Sequence, residues 1–483
     1  MQYSIVNLKT VKENSDFRID AEYFEPSYQK LEKFLSSKET KDLNDYSVFI
    51  KKGIFDISPN NYVEEGGVAF LRSGDLKDEF ISSDEIIRIT KESHEKEKKT
   101  ELVTNDLLMA KVGTIGDVAI NLRFEKLNFS QNVIGIKIKK EYKPISGFLL
   151  SFLNCSYGRN QVNRVLSGQV QQKLILEDIK KVKVVNLKDS IQKLISELVS
   201  RSYLLKEKSN SFYSQAEQFL LSELGLLDWK PKHTLAFVKN FSDTQKAERI
   251  DAEYFQPKYE EIIEAVKKYK GGFDELGGLV KIKKSVEPGS EAYQENGVPF
   301  VRVSNLSKFE LSTDNQQFIS AELYEELKTH QPKKGEILLS KDATPGMAYF
   351  LNEEPQKMIV SGGILRLKMD SKQILPEYLT LVLNSVIVQK QIERDAGGSI
   401  INHWRPDQVK ATLIPILKED KQKEIKEFIE KSFNDRKLSK SLLEIAKRGV
   451  EMAIEKDEQE AEEWIESEIE KLGVKYAIFG CKL

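Results

Sequence analysis

Cysteine is nearly absent: Cys155 and Cys481 are the two in 483 residues, enough for one disulfide at most. That usage points to free thiols in a reducing cytoplasm. No apolar run approaches the roughly 20 residues that span a bilayer, so no membrane segment is expected. The opening MQYSIVNLKT lacks the basic, apolar and small-residue pattern of a secretory leader. The four histidines, His94, His233, His330 and His403, are scattered without metal-ligand spacing, and there is no paired-cysteine motif. A Walker A loop, a Gly-rich dinucleotide loop and the Asn-Pro-Pro-aromatic signature of amino-methyltransferases are also missing. Neither a catalytic nor a metal site is therefore expected. Net charge is −2, which argues against a strongly basic nucleic-acid binder acting alone. Ten acidic and two basic residues fall within 451–471, leaving the remainder mildly basic.

What the chain does have is a duplication. Arg18 to Tyr28 (RIDAEYFEPSY) returns as Arg249 to Tyr259 (RIDAEYFQPKY), nine of eleven residues identical. The register then holds at an offset of 230: Gly67-Val-Ala-Phe-Leu-Arg72 meets Gly297-Val-Pro-Phe-Val-Arg302, and Asp106-Leu-Leu-Met-Ala-Lys111 meets Glu336-Ile-Leu-Leu-Ser-Lys341. Leu153-Asn154, Arg164 and Gly168 match Leu383-Asn384, Arg394 and Gly398. Two copies of one fold are expected.

Within each copy, Pro26 or Pro257 sits where the first turn of a helix tolerates it. Short apolar or alternating runs broken by Gly, Asn and Pro follow: 68–71, 107–110, 118–120 and 133–138, with 298–301, 337–339 and 364–367 opposite. These are strand signals. A helical stretch over 148–165 (376–394 opposite), a glycine loop and a last strand complete an α+β module with a mostly antiparallel sheet.

The periodicity then changes. Ile191, Leu198, Leu205, Phe212 and Phe219 recur every seven residues, as do Ile195, Ser202, Ser209 and Ala216. The second half repeats the small column as Ile425, Ser432, Ser439 and Ala446, flanked by Phe428 and Leu442. Sustained heptads mean a coiled-coil seam, and small residues let backbones approach closely. The simplest partner for one helix is the other, antiparallel. At 1.5 Å per residue, 189–223 makes a rod of about 50 Å, longer than the roughly 34–36 Å turn of B-DNA. Leu224-Gly225 corresponds to Leu472-Gly473, so the second helical region gains 18 residues in the acidic stretch.

The duplicated RIDAEYF entry, NDLLMAKVGTIGDVAI at 105–120, SGQVQQKLILEDIKKVKV at 167–184 and a long helix after each half together resemble the specificity subunit of type I restriction–modification enzymes. The resemblance covers essentially the whole chain. It implies two target-recognition domains (1–186 and 226–416) joined by two long helices packed as an antiparallel coiled coil. Those helices are a central spacer (187–225) and a C-terminal spacer with an acidic extension (417–472), before a tail at 473–483. It also implies double-stranded DNA as ligand, docking of two methyltransferase subunits and later of restriction subunits, and no catalytic role for this chain. S-adenosylmethionine and ATP are then expected on the partners only. A type IIB-like system, or a coiled-coil adaptor whose modules bind protein, are the alternatives.

Candidate DNA contacts come in pairs. Lys111 and Thr114 lie in a loop whose Gly113 and Gly116 suit a hairpin, and Lys341 and Thr344 are retained opposite. That pattern fits both a plain turn and a DNA-facing loop. Gln169, Gln171, Gln172 and Lys173 face Ser399, Asn402, Trp404 and Arg405 across the duplication. Gln pairs in bidentate fashion with adenine, and Lys with phosphate. Gln131, in Ser130-Gln131-Asn132, and the strand-end Arg72 and Arg302 complete the set; each arginine fits an ion pair as well. RIDAEYF itself caps the module core through Ile19, Tyr23 and Phe24, or faces the methyltransferase subunits.

Overall fold

The computed structural model describes residues 5–13, 18–55, 57–82, 85–166, 174–396 and 403–473. The chain divides into two compact units, 1–208 with 435–483, and 209–434.

In the first unit, a six-stranded sheet runs in the order Ser47–Lys52, Val133–Ile138, Leu107–Ala110, Val118–Ile120, Phe80–Ile81, Leu76–Lys77. A five-stranded sheet orders Tyr62–Val63, Arg88–Ile89, Val68–Leu71, Lys126–Phe129 and Leu102–Val103. Pairing is antiparallel except where Ile120 meets Phe80 and where Lys126–Phe129 runs beside Val68–Leu71. The strands 107–110 and 118–120 are buried throughout, which is why they read as unbroken apolar runs. The second unit repeats the plan with a four-stranded sheet (Val280–Lys284, Ile364–Met369, Glu336–Ser340, Ala348–Phe350) and a three-stranded one (Gln317–Ile319, Val298–Val301, Ile359–Val360).

The expected single helix over 148–165 is two, Ser146–Asn154 and Ser156–Arg164, and its counterpart is Pro376–Asn384 and Val386–Asp395. The junction residues Cys155 and Ser385 are extended (ψ 174° and 164°), so each stretch turns a corner there. Each corner delivers an asparagine to the sheet. Asn154 accepts from the Val118 amide (3.1 Å) and donates to its carbonyl (2.8 Å); Asn384 does the same to Ala348 (3.0 and 2.8 Å).

Both heptad helices form: Asp189–Glu223 and Glu419–Glu455, free of Pro and with acidic residues in the first turn of each. The first ends on Gly225 (φ +67°), with the Leu226 amide returning to the Leu221 carbonyl at 2.8 Å. In the first unit Ser202 and Ser439 are buried and their hydroxyls lie 2.9 Å apart. Each hydroxyl also donates to the other residue's carbonyl at 2.8 Å. Lys208 pairs with Asp435, so the partner numbers fall as the first set rises: the helices are antiparallel. In the second unit Ser209 and Ser432 repeat the hydroxyl contact at 3.1 Å, and Phe212 packs on Phe428 at 6.5 Å. Ile195, Leu198, Ala216, Ile425, Leu442 and Ala446 are buried as the heptads require. The serines are therefore more than small: they hydrogen-bond across the seam.

The acidic extension is not a continuation of the helix. Glu419–Glu455 stops, Asp457 caps a new helix Glu458–Lys471 through the Glu460 amide, and that helix buries Ala461, Ile465 and Ile469 in the first unit's core. Gly449 permits the contact, since a Cβ there would come within 2.6 Å of the Ile465 Cδ1. Its acidic residues occupy the face left outside.

Two outcomes follow. Ser439→Arg buries a charge where two backbones nearly touch and should cost at least about 3 kcal/mol, read as a lowered denaturation midpoint. Cys155 is buried, and burial pushes its thiol up to about 12, so maleimide at pH 8 should leave it unlabelled until the chain unfolds, as peptide mass mapping will report.

Candidate nucleic-acid interface

Three backbone hydrogen bonds gather the candidate side chains of the first module. The Lys111 amide donates to the Asn132 carbonyl (2.9 Å), Ser130 to Leu71 (2.8 Å) and Gln131 to Ile54 (2.9 Å). The strand ends carrying Arg72, Lys111 and Gln131 thus share one rim. Arg72 is exposed, with its Nε 4.0 Å from Asp75, and Thr114 is exposed at the loop tip. Gly53 lets the chain cross this rim, because a Cβ there would sit 2.1 Å from the Phe129 carbonyl oxygen. That crossing leaves Lys51, Lys52 and Phe55 exposed beside Gln131. Sequence reading missed these three; two lysines and an aromatic around a glycine were the available signal.

The second module builds the same rim. Ser361 donates to the carbonyl of Val301, next to Arg302, and Lys341 donates to that of Gly363 (2.8 and 2.9 Å). Trp404 donates in turn to the Lys341 carbonyl at 2.9 Å, bringing His403 and Arg405 to the same place. Thr344 is exposed, as Thr114 is. The groups offered differ. Lys341 is paired with Asp342, whose other oxygen meets His403 Nδ1 at 2.8 Å, and these partners hold the carboxyl below its ordinary value although burial opposes them. Arg302 donates to the Asn315 carbonyl at 2.7 Å, a structural tie, and Arg405 lies 3.3 Å from Asp407. Gly116 (φ +86°) and Gly346 (φ +94°) turn the two loops, and a Cβ on either would strike Val162 (2.8 Å) or Ile392 (2.3 Å).

Trp404 requires a correction. It is 1% exposed and sits in the second module's core, so it is not placed to meet a base. Its counterpart at offset 230 is Leu174, also buried, and that apolar match was the overlooked signal. Gln169, Gln171, Gln172, Lys173, Ser399 and Asn402 lie outside the described residues.

The RIDAEYF segments act just upstream of those loops. Arg18 pairs with Asp20 (2.8 Å) and donates to the carbonyls of Val165 and Leu166 at 3.4 and 3.1 Å. Asp20 also receives the Tyr23 amide, and the Tyr23 ring lies between the Arg18 and Arg164 guanidiniums at 4.6 and 4.4 Å. Arg249, Asp251, Tyr254 and Arg394 repeat the arrangement, with ring distances of 4.5 and 5.3 Å. Phe24 and Phe255 enter the core, but Ile19 and Ile250 do not: they are 81% and 89% exposed, so the core-capping role expected of Ile19 is withdrawn.

A family model described as "Type I restriction modification DNA specificity domain" matches residues 20–211 and again 272–447. The chain belongs to that family. As a type I specificity subunit it carries the domain twice, once in each copy of the duplication. No curated protein matches it. The S subunit of a type I restriction-modification system from M. genitalium is similar at 12% identity over 90% of this chain and 95% of that one, with a TM-score of 0.36. The HsdS subunit from Thermoanaerobacter tengcongensis is similar at 12% identity over 87% and 97%, with a TM-score of 0.29. Membership rests on the family model. Among the described residues no group of His, Cys, Asp or Glu is arranged to hold a metal ion, and no helix is long and apolar enough to cross a membrane.

Removing the clamp tests its purpose. Arg18→Ala leaves the Val165 and Leu166 carbonyls without this donor, and should weaken specific DNA binding by the assembled enzyme about tenfold, without changing the salt slope. Filter binding at several salt concentrations will decide.

Proposed function

We propose that this specificity subunit reads a bipartite, asymmetric duplex target, one half-site per module. The observation that carries the reading is the paired rim. Both modules bring a strand-end arginine, a loop lysine and an exposed threonine together with the same backbone bonds, while the neighbouring side chains differ. One framework with different polar groups is what two readers of unlike sequences need. Arg72, Lys111, Thr114 and Gln131 serve the first half-site, with Lys51 and Lys52 supplying phosphate contacts. Lys341, Thr344, His403 and Arg405 serve the second.

The chain acts without chemistry of its own in this reading. Two methyltransferase subunits bearing S-adenosylmethionine, and ATP-using restriction subunits, dock on it in the cytoplasm. The exposed Ile19 and Ile250, equivalent in the two copies, favour a partner present twice. The net charge of −2 favours weak DNA binding by the isolated chain, with affinity completed by those partners.

Replacing residues 1–186 with the equivalent of another specificity subunit should change one half of the methylated sequence and leave the other intact, as methylation-aware sequencing will show. Changes in both halves contradict independent reading. Lys51→Ala and Lys52→Ala should each lower the salt slope of DNA binding by about 1 while leaving the methylated sequence unchanged.

A further inference from the structure

Each module presses one β-hairpin onto the part of the helical pair within its own unit, and the two contacts carry opposite charge. In the first unit the hairpin pairs Leu76 with Ile81 and Lys77 with Phe80, leaving Asp78 and Glu79 at the tip. Lys206 lies 3.2 Å from the Asp78 carboxylate, donates to the Lys77 carbonyl at 3.2 Å, and stands 5.2 Å over the Phe80 ring. Lys447 meets Glu79 at 2.8 Å, and Tyr203 packs on Phe80 at 5.4 Å. Lys440 and Arg436 add positive charge facing Asp78. The tip is acidic and its seat basic.

The second unit has the same hairpin, bridged from Leu306 to Leu311, with Lys308 and Phe309 where the first has Asp78 and Glu79. Phe309 packs between Tyr213 (4.9 Å) and Phe433 (6.0 Å), and the Lys308 ammonium stands over the Tyr213 ring at 4.7 Å. Lys308 also faces Glu217, whose carboxyl burial pushes upward against it. At offset 230, Phe433 answers Tyr203, so the aromatic wall is common to both seats. Glu217 answers Lys447, however, and Asn210 answers Lys440. The position of Lys206 keeps its sign, since Arg436 answers it, so the reversal lies at Asp78 and Lys308 on the tips and at Lys447 and Glu217 on the seats.

We propose that the hairpin tips are address keys, which fix each recognition module to its own seat on the helices and make the two modules non-interchangeable. Seated wrongly, Lys308 would face Lys206, Lys440 and Lys447, and the carboxylates of the first tip would exchange Lys447 for Glu217. Like charges brought together out of water are strongly unfavourable, so a transposed module is rejected by repulsion as well as by lost pairing. The first tip also holds Asp78 and Glu79 at φ +50° and +64°, a two-residue turn usually given to Asn-Gly. Acidic side chains are kept there despite the backbone preference. This inference stands independently of which DNA sequence either module reads.

The test is amide hydrogen exchange on the full-length chain. Exchanging the tips in place (D78K/E79F with K308D/F309E) should speed exchange of 76–81 and 306–311 at least about tenfold. The single reversals E79K and K308E should loosen only their own hairpin, the other serving as the folded control. Adding K447E to E79K, and E217K to K308E, should recover at least half of the lost protection on a logarithmic scale. Unchanged exchange after the tip exchange overturns the proposal. Loosening that neither K447E nor E217K repairs overturns it equally, because charge matching would then not be the cause.

Discussion

Everything in this chain depends on how closely the two long helices approach. Ser202 against Ser439, and Ser209 against Ser432, put hydroxyls on facing carbonyls, a contact that larger side chains would prohibit. Buried polar groups are tolerated when each finds a partner, and these do so across the seam. The helices in turn give each module its floor. Leu194, Leu198 and Leu442 belong to the first module's core, and Ala216, Leu220 and Ile425 to the second's. The spacers are therefore halves of two cores as well as connectors, and each compact unit takes part of both helices.

From that floor outward the modules share a skeleton but differ in surface. Repeated residues are those with a geometric task. Asn154 and Asn384 pin a strand to a helix corner, and Gly116 and Gly346 turn where a Cβ would collide. Arg18 and Arg249 each pair with an aspartate two residues on and face carbonyls upstream of a glycine loop. Among the residues that changed between the copies are those on the rim and on the hairpin tips, where the requirement is set by what each meets.

Much of this was legible in the sequence because a duplication supplies its own control. The constant offset exposes the repeat, and the seven-residue columns mark the seam. What was illegible has physical reasons. The corner at Cys155 falls on neither Pro nor Gly, and Gly158 three residues on, where a Cβ would strike the Phe152 carbonyl at 2.2 Å, has no glycine opposite it in the second copy, so two helices read as one. The helix Glu458–Lys471 is acidic on its outer face and buries only Ala461, Ile465 and Ile469, too sparse a stripe to announce a fold-back. Trp404 looked like a DNA contact because it sits in a polar loop sequence, whereas its slot is the one filled by Leu174 in the other copy. Ile19 failed in the opposite sense: an apolar residue in a repeated motif reads as core, yet it faces outward.

The segments that follow the two arginine–tyrosine clamps are bounded on their far side by a buried plug, Leu174 in one module and Trp404 in the other. A stretch anchored at both margins costs the fold little when its composition drifts, since neither anchor lies within it. Under the function proposed above, a new sequence preference arises by substitution between these fixed posts. Evolution of a different target in this lineage need not wait for a compensating change elsewhere.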